Sequence, residues 1–158
     1  MARQPEKSLA LGINTRLAHG GYDPKDYHGF VNPPVVHAST VLFPDAAAMA
    51  SRSQKYTYGT HGTTTTDALC SAINALEGSA ETILLPSGLA AVTIPLLAFL
   101  RSGDHVLIVD SVYFPTRRFA NGMLRDLGIE VDYYDPAIGS GIVALMKPNT
   151  KVVFTESP

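Results

Sequence analysis

Apolar residues recur at regular spacings only in the second part of the chain. Leu69, Ile73 and Leu76 fall on one helical face, which predicts a helix over 66–77. Threonines precede this helix and Gly78 follows it, as expected of capping residues. The pattern predicts three more helices: an almost wholly apolar one after residue 88, one over 115–127, and a short one after the Asp-Pro pair at 135–136.

Short apolar runs alternate with these helices and predict β-strands. The runs are "TILL" at 82–85, "HVLIVD" at 105–110, "EVDYY" at 130–134 and "KVVF" at 151–154. Continuous apolar strands are typical of a parallel sheet that is buried on both faces, and strands joined by helices form right-handed crossovers. The pattern therefore predicts an α/β fold with three layers, in which helices cover a mainly parallel sheet.

The first 63 residues show little periodicity and many turn-forming residues. The segments "HGGYDP", "NPP" and "YGTHGT" contain the glycine, proline, aspartate and asparagine that are typical of turns. The pattern predicts an extended N-terminal arm over 1–63, followed by the first part of an α/β domain over 64–158.

Composition and charge exclude several classes of partner. Of the 158 residues, 46% are apolar and 16% charged, which is typical of a globular protein with a core. A net charge of -2 provides no basic surface for nucleic acid and no polybasic patch for a membrane. Cys70 is the single cysteine and the N-terminus lacks the apolar core of a signal peptide, so a cytoplasmic location is predicted. The five histidines lack metal-binding spacing, and no metal site is predicted.

Candidate binding residues lie where the predicted strands end, because ligands of such sheets bind beyond the carboxyl ends of the strands. A helix beginning at Gly88 would direct free N–H groups toward an anion, and glycine leaves room for it; the alternative is a plain strand–helix turn. Tyr113 follows the next strand and could stack on a planar ligand, or could simply lie at the rim. Ser87 is excluded as a nucleophile because Leu85 and Leu89 stand where a nucleophile elbow requires glycine.

Several stretches, in this order, resemble the amino-terminal part of the Cys/Met-metabolism family of pyridoxal-phosphate enzymes. They run from about Thr15 to Pro158 and comprise "TRLAHGG", "VNPPVVHASTVLF", "YGTHGTTTTDALCSAINALEG", "LPSGLAAV", "GDHVLIVDSVYFPTRRF" and "YYDPAIGSGIVALMKPNTKVVFTESP". The resemblance implies the large domain of a fold-type I, aminotransferase-like enzyme, present here only in its first part. It also implies pyridoxal 5'-phosphate as the cofactor.

The resemblance assigns roles to the candidate residues of the α/β domain. Gly88 and Leu89 match positions whose backbone amides hold the cofactor phosphate. Tyr113 matches the tyrosine that stacks on the pyridine ring, which makes it both a cofactor-binding and a catalytic residue. This role would explain the small residues at 87–88, because a larger side chain there would keep the phosphate from the amino end of the helix.

In the arm, the segment 56–69 could by its composition wrap a phosphate or only cap the following helix. The resemblance implies that Tyr58 matches a tyrosine that contacts the cofactor phosphate of a neighbouring subunit. Thr60 stands where the family usually has an arginine, and a neutral threonine cannot form an arginine's bidentate charged pair. His61 could supply part of the missing charge.

The resemblance further implies a carbon–sulfur lyase that converts the small amino acid cystathionine to homocysteine, pyruvate and ammonia, in trans-sulfuration and methionine biosynthesis. It implies a homo-oligomer, a dimer of dimers in which the arm acts in trans. The alternatives are another member of the family, a γ-synthase, γ-lyase or sulfhydrylase, or a truncated, non-catalytic fragment.

Two catalytic groups of the family match nothing in this chain. Its Schiff-base lysine, and the aspartate that pairs with the pyridinium nitrogen, are expected beyond residue 158. Lys151, in "NTKVVF", resembles the context of that lysine only superficially and is predicted to open a buried strand. The chain by itself is therefore expected to be inactive.

Overall fold

The computed structural model describes residues 12–157, which divide between Leu84 and Leu85 into two compact units. The helices of the first unit are α1 (Ile13–His19), α2 (Ala46–Ser51) and α3 (Thr64–Glu77). The second unit contains α4 (Gly88–Phe99), β1 (His105–Val109), α5 (Phe114–Phe119), β2 (Glu130–Tyr134) and β3 (Thr150–Phe154). The shorter elements are 3₁₀ segments at Pro24–Tyr27, Gly59–His61 and Gly139–Leu145, and a π-helical continuation of α5 over Ala120–Leu124.

In the first unit, α1 packs against α3. Arg16 Nη1 donates a 3.0 Å hydrogen bond to the Ala75 carbonyl of α3. Gly21 makes the close approach possible, because its φ is +78° and a Cβ there would lie 2.4 Å from the Ala72 nitrogen. Any larger residue at this position would push the chain away from α3.

The start of α3 also holds the segment that precedes it in the chain. Thr63 and Thr66 form a capping box that satisfies the first N–H groups of the helix. Thr65 Oγ1 donates to the Pro34 carbonyl at 2.8 Å and accepts from the Val36 N–H at 2.8 Å. Helix α3 therefore lies in the same compact unit as the residues before it. The boundaries predicted from the sequence, an arm over 1–63 and a domain over 64–158, stay predictions.

In the second unit, three parallel strands form a sheet in the order β2-β1-β3. All five residues of the central strand β1 are buried, as its continuous apolar sequence predicts. Helix α4 packs against α5 and β3. The predicted parallel α/β architecture is confirmed. The buried core consists of Leu96, Leu100, Val106, Leu107, Ile108, Val109, Val112, Ala120, Leu124, Ile129, Val131 and Tyr134.

Polar side chains join the amino ends of the three strands. His105, which begins β1, is fully buried, and its Nδ1 lies 2.7 Å from Thr150 Oγ1 at the start of β3. Its Nε2 lies 3.3 Å from an Asp132 carboxylate oxygen on β2, without the alignment of a hydrogen bond. Lys147 Nζ pairs with Asp132 at 2.6 Å and with Glu130 at 2.5 Å. This network lies at the edge of the sheet opposite to the strands' carboxyl ends.

Two predicted elements are wrong. "TILL" at 82–85 forms no strand, and Ile83 is 81% exposed. No strand within residues 12–157 pairs with this run, and an apolar run without a neighbour has no partner for its backbone hydrogen bonds. The short helix predicted after residues 135–136 is a turn and then the 3₁₀ segment Gly139–Leu145, in which Gly139 takes a φ of +55° that a regular α-helix does not allow.

No helix within residues 12–157 combines the length and the apolar content that crossing a bilayer requires. The same residues contain no group of three or more His, Cys, Asp or Glu side chains that could hold a metal ion. Cys70 is a free, partly buried thiol on α3.

Candidate functional site

The amino end of α4 presents backbone N–H groups at a small-residue turn. Ser87 caps the helix, and its Oγ accepts a 3.1 Å hydrogen bond from the Ala90 N–H. The first intrahelical bond is the one that the Ala91 N–H donates to the Ser87 carbonyl at 3.0 Å. The N–H groups of Gly88 and Leu89 precede that bond, so they can serve a ligand at the end of the helix.

Packing among residues 12–157 does not require glycine at position 88. A Cβ built on Gly88 meets no atom within 4 Å, and its φ is not in the left-handed region. Gly59 is different, because a Cβ there would lie 1.7 Å from the Ala38 carbonyl oxygen. The open space at Gly88, next to helix N–H groups, fits an anionic group such as a phosphate.

Tyr113 lies just beyond the carboxyl end of β1, where it is the N-cap residue immediately before α5. The chain turns there: the Val112 N–H donates to the Val109 carbonyl at 3.1 Å, and the Val112 side chain is buried. The Tyr113 carbonyl accepts hydrogen bonds from the N–H groups of Thr116 at 2.9 Å and Arg117 at 3.2 Å. The backbone of Tyr113 is thus held, while its side chain is 59% exposed.

A carboxylate after β3 also contacts the backbone of Tyr113. Glu156 Oε2 accepts a 2.5 Å hydrogen bond from the Tyr113 N–H, although the two residues are 43 positions apart in the sequence. Glu156 lies two residues beyond the end of β3, and the sequence alone assigned it no role. Its proximity to Tyr113 could have been predicted, because the carboxyl ends of adjacent parallel strands meet at one edge of the sheet.

A second group of polar contacts involves Arg117, on the first turns of α5. Arg117 Nη2 donates to Asp110 Oδ1 at 2.7 Å, and its guanidinium carbon lies 4.0 Å from the centre of the Tyr133 ring. Tyr133 donates a 2.9 Å hydrogen bond to Asn121 Oδ1. Burial raises the pKa of the Tyr133 hydroxyl, against the opposing effect of the neighbouring arginines. These contacts join the ends of β1 and β2 to α5.

The predicted residues of the arm lie together in the first unit. Tyr58 precedes the 3₁₀ segment Gly59–His61 and pairs with Thr40 through an isolated antiparallel bridge. The Tyr58 and His61 rings meet edge to face, with their centres 5.6 Å apart. Thr60, between them in the sequence, is exposed. One exposed turn therefore carries a phenol, a hydroxyl and an imidazole.

A hydrogen bond and an ion pair connect the residues before this turn to α3. Asp67 Oδ2 accepts a 2.8 Å hydrogen bond from the Tyr56 hydroxyl and pairs with Lys55 Nζ at 2.5 Å. Burial raises the pKa of the Asp67 carboxyl, but the hydrogen bonds from Lys55 and Tyr56 outweigh it and hold the pKa below its ordinary value. The hydrogen bond to Asp67 in turn raises the pKa of the Lys55 ammonium. Lys55 is thus engaged within its own unit.

Comparison with known proteins gives a consistent result. Residues 14–158 match the family described as Cys/Met metabolism PLP-dependent enzyme. The chain is 71% identical over 147 residues to a protein of Rhizobium johnstonii that is provisionally named cystathionine beta-lyase, covering 93% of this chain and 37% of the relative. It is 39% identical over 151 residues to the cystathionine beta-lyase MetC of Escherichia coli, covering 92% of this chain and 38% of the relative. The chain thus spans about two-fifths of the length of these curated relatives.

The fold of the chain is also similar to that of a solved structure. The crystal structure of metB from Corynebacterium glutamicum superposes with a TM-score of 0.88 at 29% identity. The superposition covers 99% of this chain and 39% of that one.

Proposed function

Because the chain belongs to the Cys/Met-metabolism family of PLP-dependent enzymes, we propose that it forms the phosphate-binding and ring-stacking part of a carbon–sulfur lyase. The proposed substrate is cystathionine, with homocysteine, pyruvate and ammonia as products. The relatives named cystathionine beta-lyase support this choice over other activities of the family. We also propose a cytoplasmic location for this protein.

The observation that carries the proposal is the open amino end of α4. The N–H groups of Gly88 and Leu89 lie at the positive end of the helix dipole, and no atom of residues 12–157 comes within 4 Å of a Cβ placed on Gly88. A phosphate is the anion that such an arrangement commonly binds. The residues present therefore fit the phosphate of the family's cofactor.

Tyr113 supplies the second proposed contact. Its exposed ring follows β1 at the carboxyl edge of the sheet, in the same compact unit as Gly88. An aromatic ring there would orient the planar pyridine by offset stacking. When bound, pyridoxal phosphate supplies an electron sink for the charge that develops at the substrate α-carbon.

The arm residues Tyr58 and Thr60 are proposed to contact the phosphate bound by a neighbouring subunit, in a homo-oligomer arranged as a dimer of dimers. The exposed turn that carries both residues supports this role. Threonine provides one hydrogen bond in place of the family's arginine, and His61 lies 5.6 Å from Tyr58, ring centre to ring centre. We propose that Tyr58 and Thr60 contact the phosphate and that His61 supplies part of the missing positive charge.

We propose that neither lysine of the second unit, Lys147 or Lys151, attaches the cofactor covalently. Lys147 is engaged with Glu130 and Asp132, and Lys151 is the second residue of β3; both lie toward the amino edge of the sheet. Tyr113 lies at the opposite edge. We therefore propose that the attachment lysine and the aspartate facing the pyridine nitrogen are not among these residues, and that the chain alone is inactive.

The test uses the protein produced from the complete reading frame, incubated with L-cystathionine and, separately, with L-methionine. We expect the protein to release pyruvate and homocysteine from cystathionine. Release of 2-oxobutyrate in place of pyruvate would replace the β-lyase with a γ-lyase activity. A protein that retains no cofactor and releases neither keto acid would contradict the enzymatic proposal and favour a non-catalytic role.

A further inference from the structure

We propose that Glu156 is a positioning residue that sets the orientation of the Tyr113 ring toward the cofactor. This inference rests on the proposed function, because it concerns how the stacking tyrosine is held. We propose no direct contact between Glu156 and the cofactor or the substrate. It acts through the 2.5 Å hydrogen bond that the Tyr113 N–H donates to its carboxylate.

Glu156 reaches Tyr113 from a well-anchored strand. β3 pairs with the central strand β1, with Phe154 opposite Ile108. Tyr134 donates a 3.1 Å hydrogen bond from its hydroxyl to the Phe154 carbonyl, and Tyr134 is itself buried in the core. The residue two positions beyond Phe154 is therefore delivered to the same edge of the sheet as the end of β1.

The ring of Tyr113 has no such support of its own. Among residues 12–157, no aromatic ring or cation packs against it, and the side chain is 59% exposed. The backbone at the junction between β1 and α5 consequently fixes the Cα–Cβ bond from which the ring projects, and with it the directions that the ring can take. That backbone is held from one side by α5, through the Tyr113 carbonyl, and from the other by Glu156, through the Tyr113 N–H.

A charged acceptor suits this position for two reasons. Tyr113 is the N-cap residue immediately before α5, so a carboxylate beside its N–H interacts favourably with the unpaired N–H groups of the first helical turn. A hydrogen bond to an ionised acceptor is also stronger and shorter than one to a neutral acceptor. Loss of the carboxylate would leave the Tyr113 N–H to water and let the junction move.

The first experiment measures the bond directly, in the full-length protein without cofactor. Amide hydrogen exchange at Tyr113 is compared among wild type, Glu156→Ala, Glu156→Gln and the control Asp126→Ala, an exposed carboxylate after α5. We expect exchange at Tyr113 to rise about tenfold in Glu156→Ala, because a bond to a charged group is lost, and to be largely restored in Glu156→Gln, which keeps an acceptor oxygen. Unchanged exchange in Glu156→Ala would overturn the inference.

The second experiment asks whether the bond matters for the cofactor. Pyridoxal-phosphate binding is followed by its absorbance spectrum in Glu156→Ala, Tyr113→Ala and the double variant. We expect Glu156→Ala to weaken binding about threefold to tenfold and to have little further effect once Tyr113 is alanine, since coupled residues are not additive. Fully additive effects would contradict positioning through Tyr113. Unaltered binding in Tyr113→Ala, with the exchange result intact, would instead refute the stacking role in the proposed function.

Discussion

The hydroxyl of Tyr56 lies 2.8 Å from Asp67 Oδ2 and donates a hydrogen bond to it, which ties the residues before Tyr58 to the first turn of α3. The local sequence does not indicate this bond, since the partners are 11 positions apart on either side of a turn. It holds the exposed turn that carries Tyr58, Thr60 and His61 against a helix.

Replacing Asp67 by Asn should change how stability depends on pH. The pKa of Asp67 is lower in the folded chain than its ordinary value, so its stabilising effect is present above a pH of about 4 and is lost as the pH falls through the folded pKa. Asp67→Asn should cost about 1 kcal/mol at pH 7, since the group is partly exposed, and progressively less below pH 4. Urea unfolding at pH 7 and at pH 2.5, well below the ordinary pKa of the group, measures both values. An equal cost at the two pH values would show that the carboxylate charge is irrelevant, and Asp126→Asn serves as the matched control.

Substitutions at Gly88 should separate cofactor binding from folding. Because a Cβ at this position meets no atom of residues 12–157 within 4 Å, Gly88→Ala should be tolerated, with a gain in helix stability smaller than the roughly 1 kcal/mol expected in a helix interior, since Gly88 is the first residue of α4. Gly88→Val places a branched side chain in the proposed phosphate space, so cofactor affinity should fall steeply while the thermal unfolding temperature changes little. Gly122→Ala, a second glycine with open space around it, is the control and should leave cofactor retention unchanged. Full retention in purified Gly88→Val would refute the phosphate role.

Two substitutions at Tyr113 distinguish its ring from its hydroxyl. Tyr113→Phe keeps the stacking face and Tyr113→Ala removes it. If stacking dominates, Ala should weaken cofactor binding by about 1 kcal/mol or more relative to Phe. Spectroscopic titration with pyridoxal phosphate measures the difference, and equal losses in the two variants would point to the hydroxyl instead.

The arm is expected to act in trans, so the active protein should be an oligomer. A dilution series monitored by light scattering and activity should show activity falling as the oligomer dissociates. Mixing a Tyr58→Ala variant with a Gly88→Val variant should restore part of the activity, because one mixed site would combine an intact arm with an intact phosphate site. Monomers that remain fully active on dilution would contradict this arrangement.

The chain of 158 residues, produced alone, should bind pyridoxal phosphate weakly and without covalent attachment. The amino end of α4 attracts phosphate by itself, but Lys147 and Lys151 lie toward the other edge of the sheet from Tyr113. Borohydride reduction followed by peptide mass analysis should find no stoichiometric label on any lysine. Specific labelling of Lys151, together with cleavage of cystathionine, would overturn this expectation.

The sequence by itself determined the elements whose stability is local. The period of Leu69, Ile73 and Leu76 predicted α3, although Leu69 is 51% exposed, and the continuous apolar run after Asp104 predicted the buried β1, because residue spacing is written directly into adjacent residues. Tyr113 could be selected because it follows β1, whereas Gly88 was selected because it follows "TILL", a run that forms no strand within residues 12–157.

Only the tertiary structure decided what depends on distant partners. "TILL" has the composition of a strand, yet no strand within residues 12–157 pairs with it, and a ladder needs two chains of hydrogen-bonding groups. The bond from Tyr113 to Glu156 and the packing of Arg117 on Tyr133 depend on the order β2-β1-β3. Side chains from separate strands meet only once the strands are paired, and residue spacing along one chain carries no direct record of that pairing.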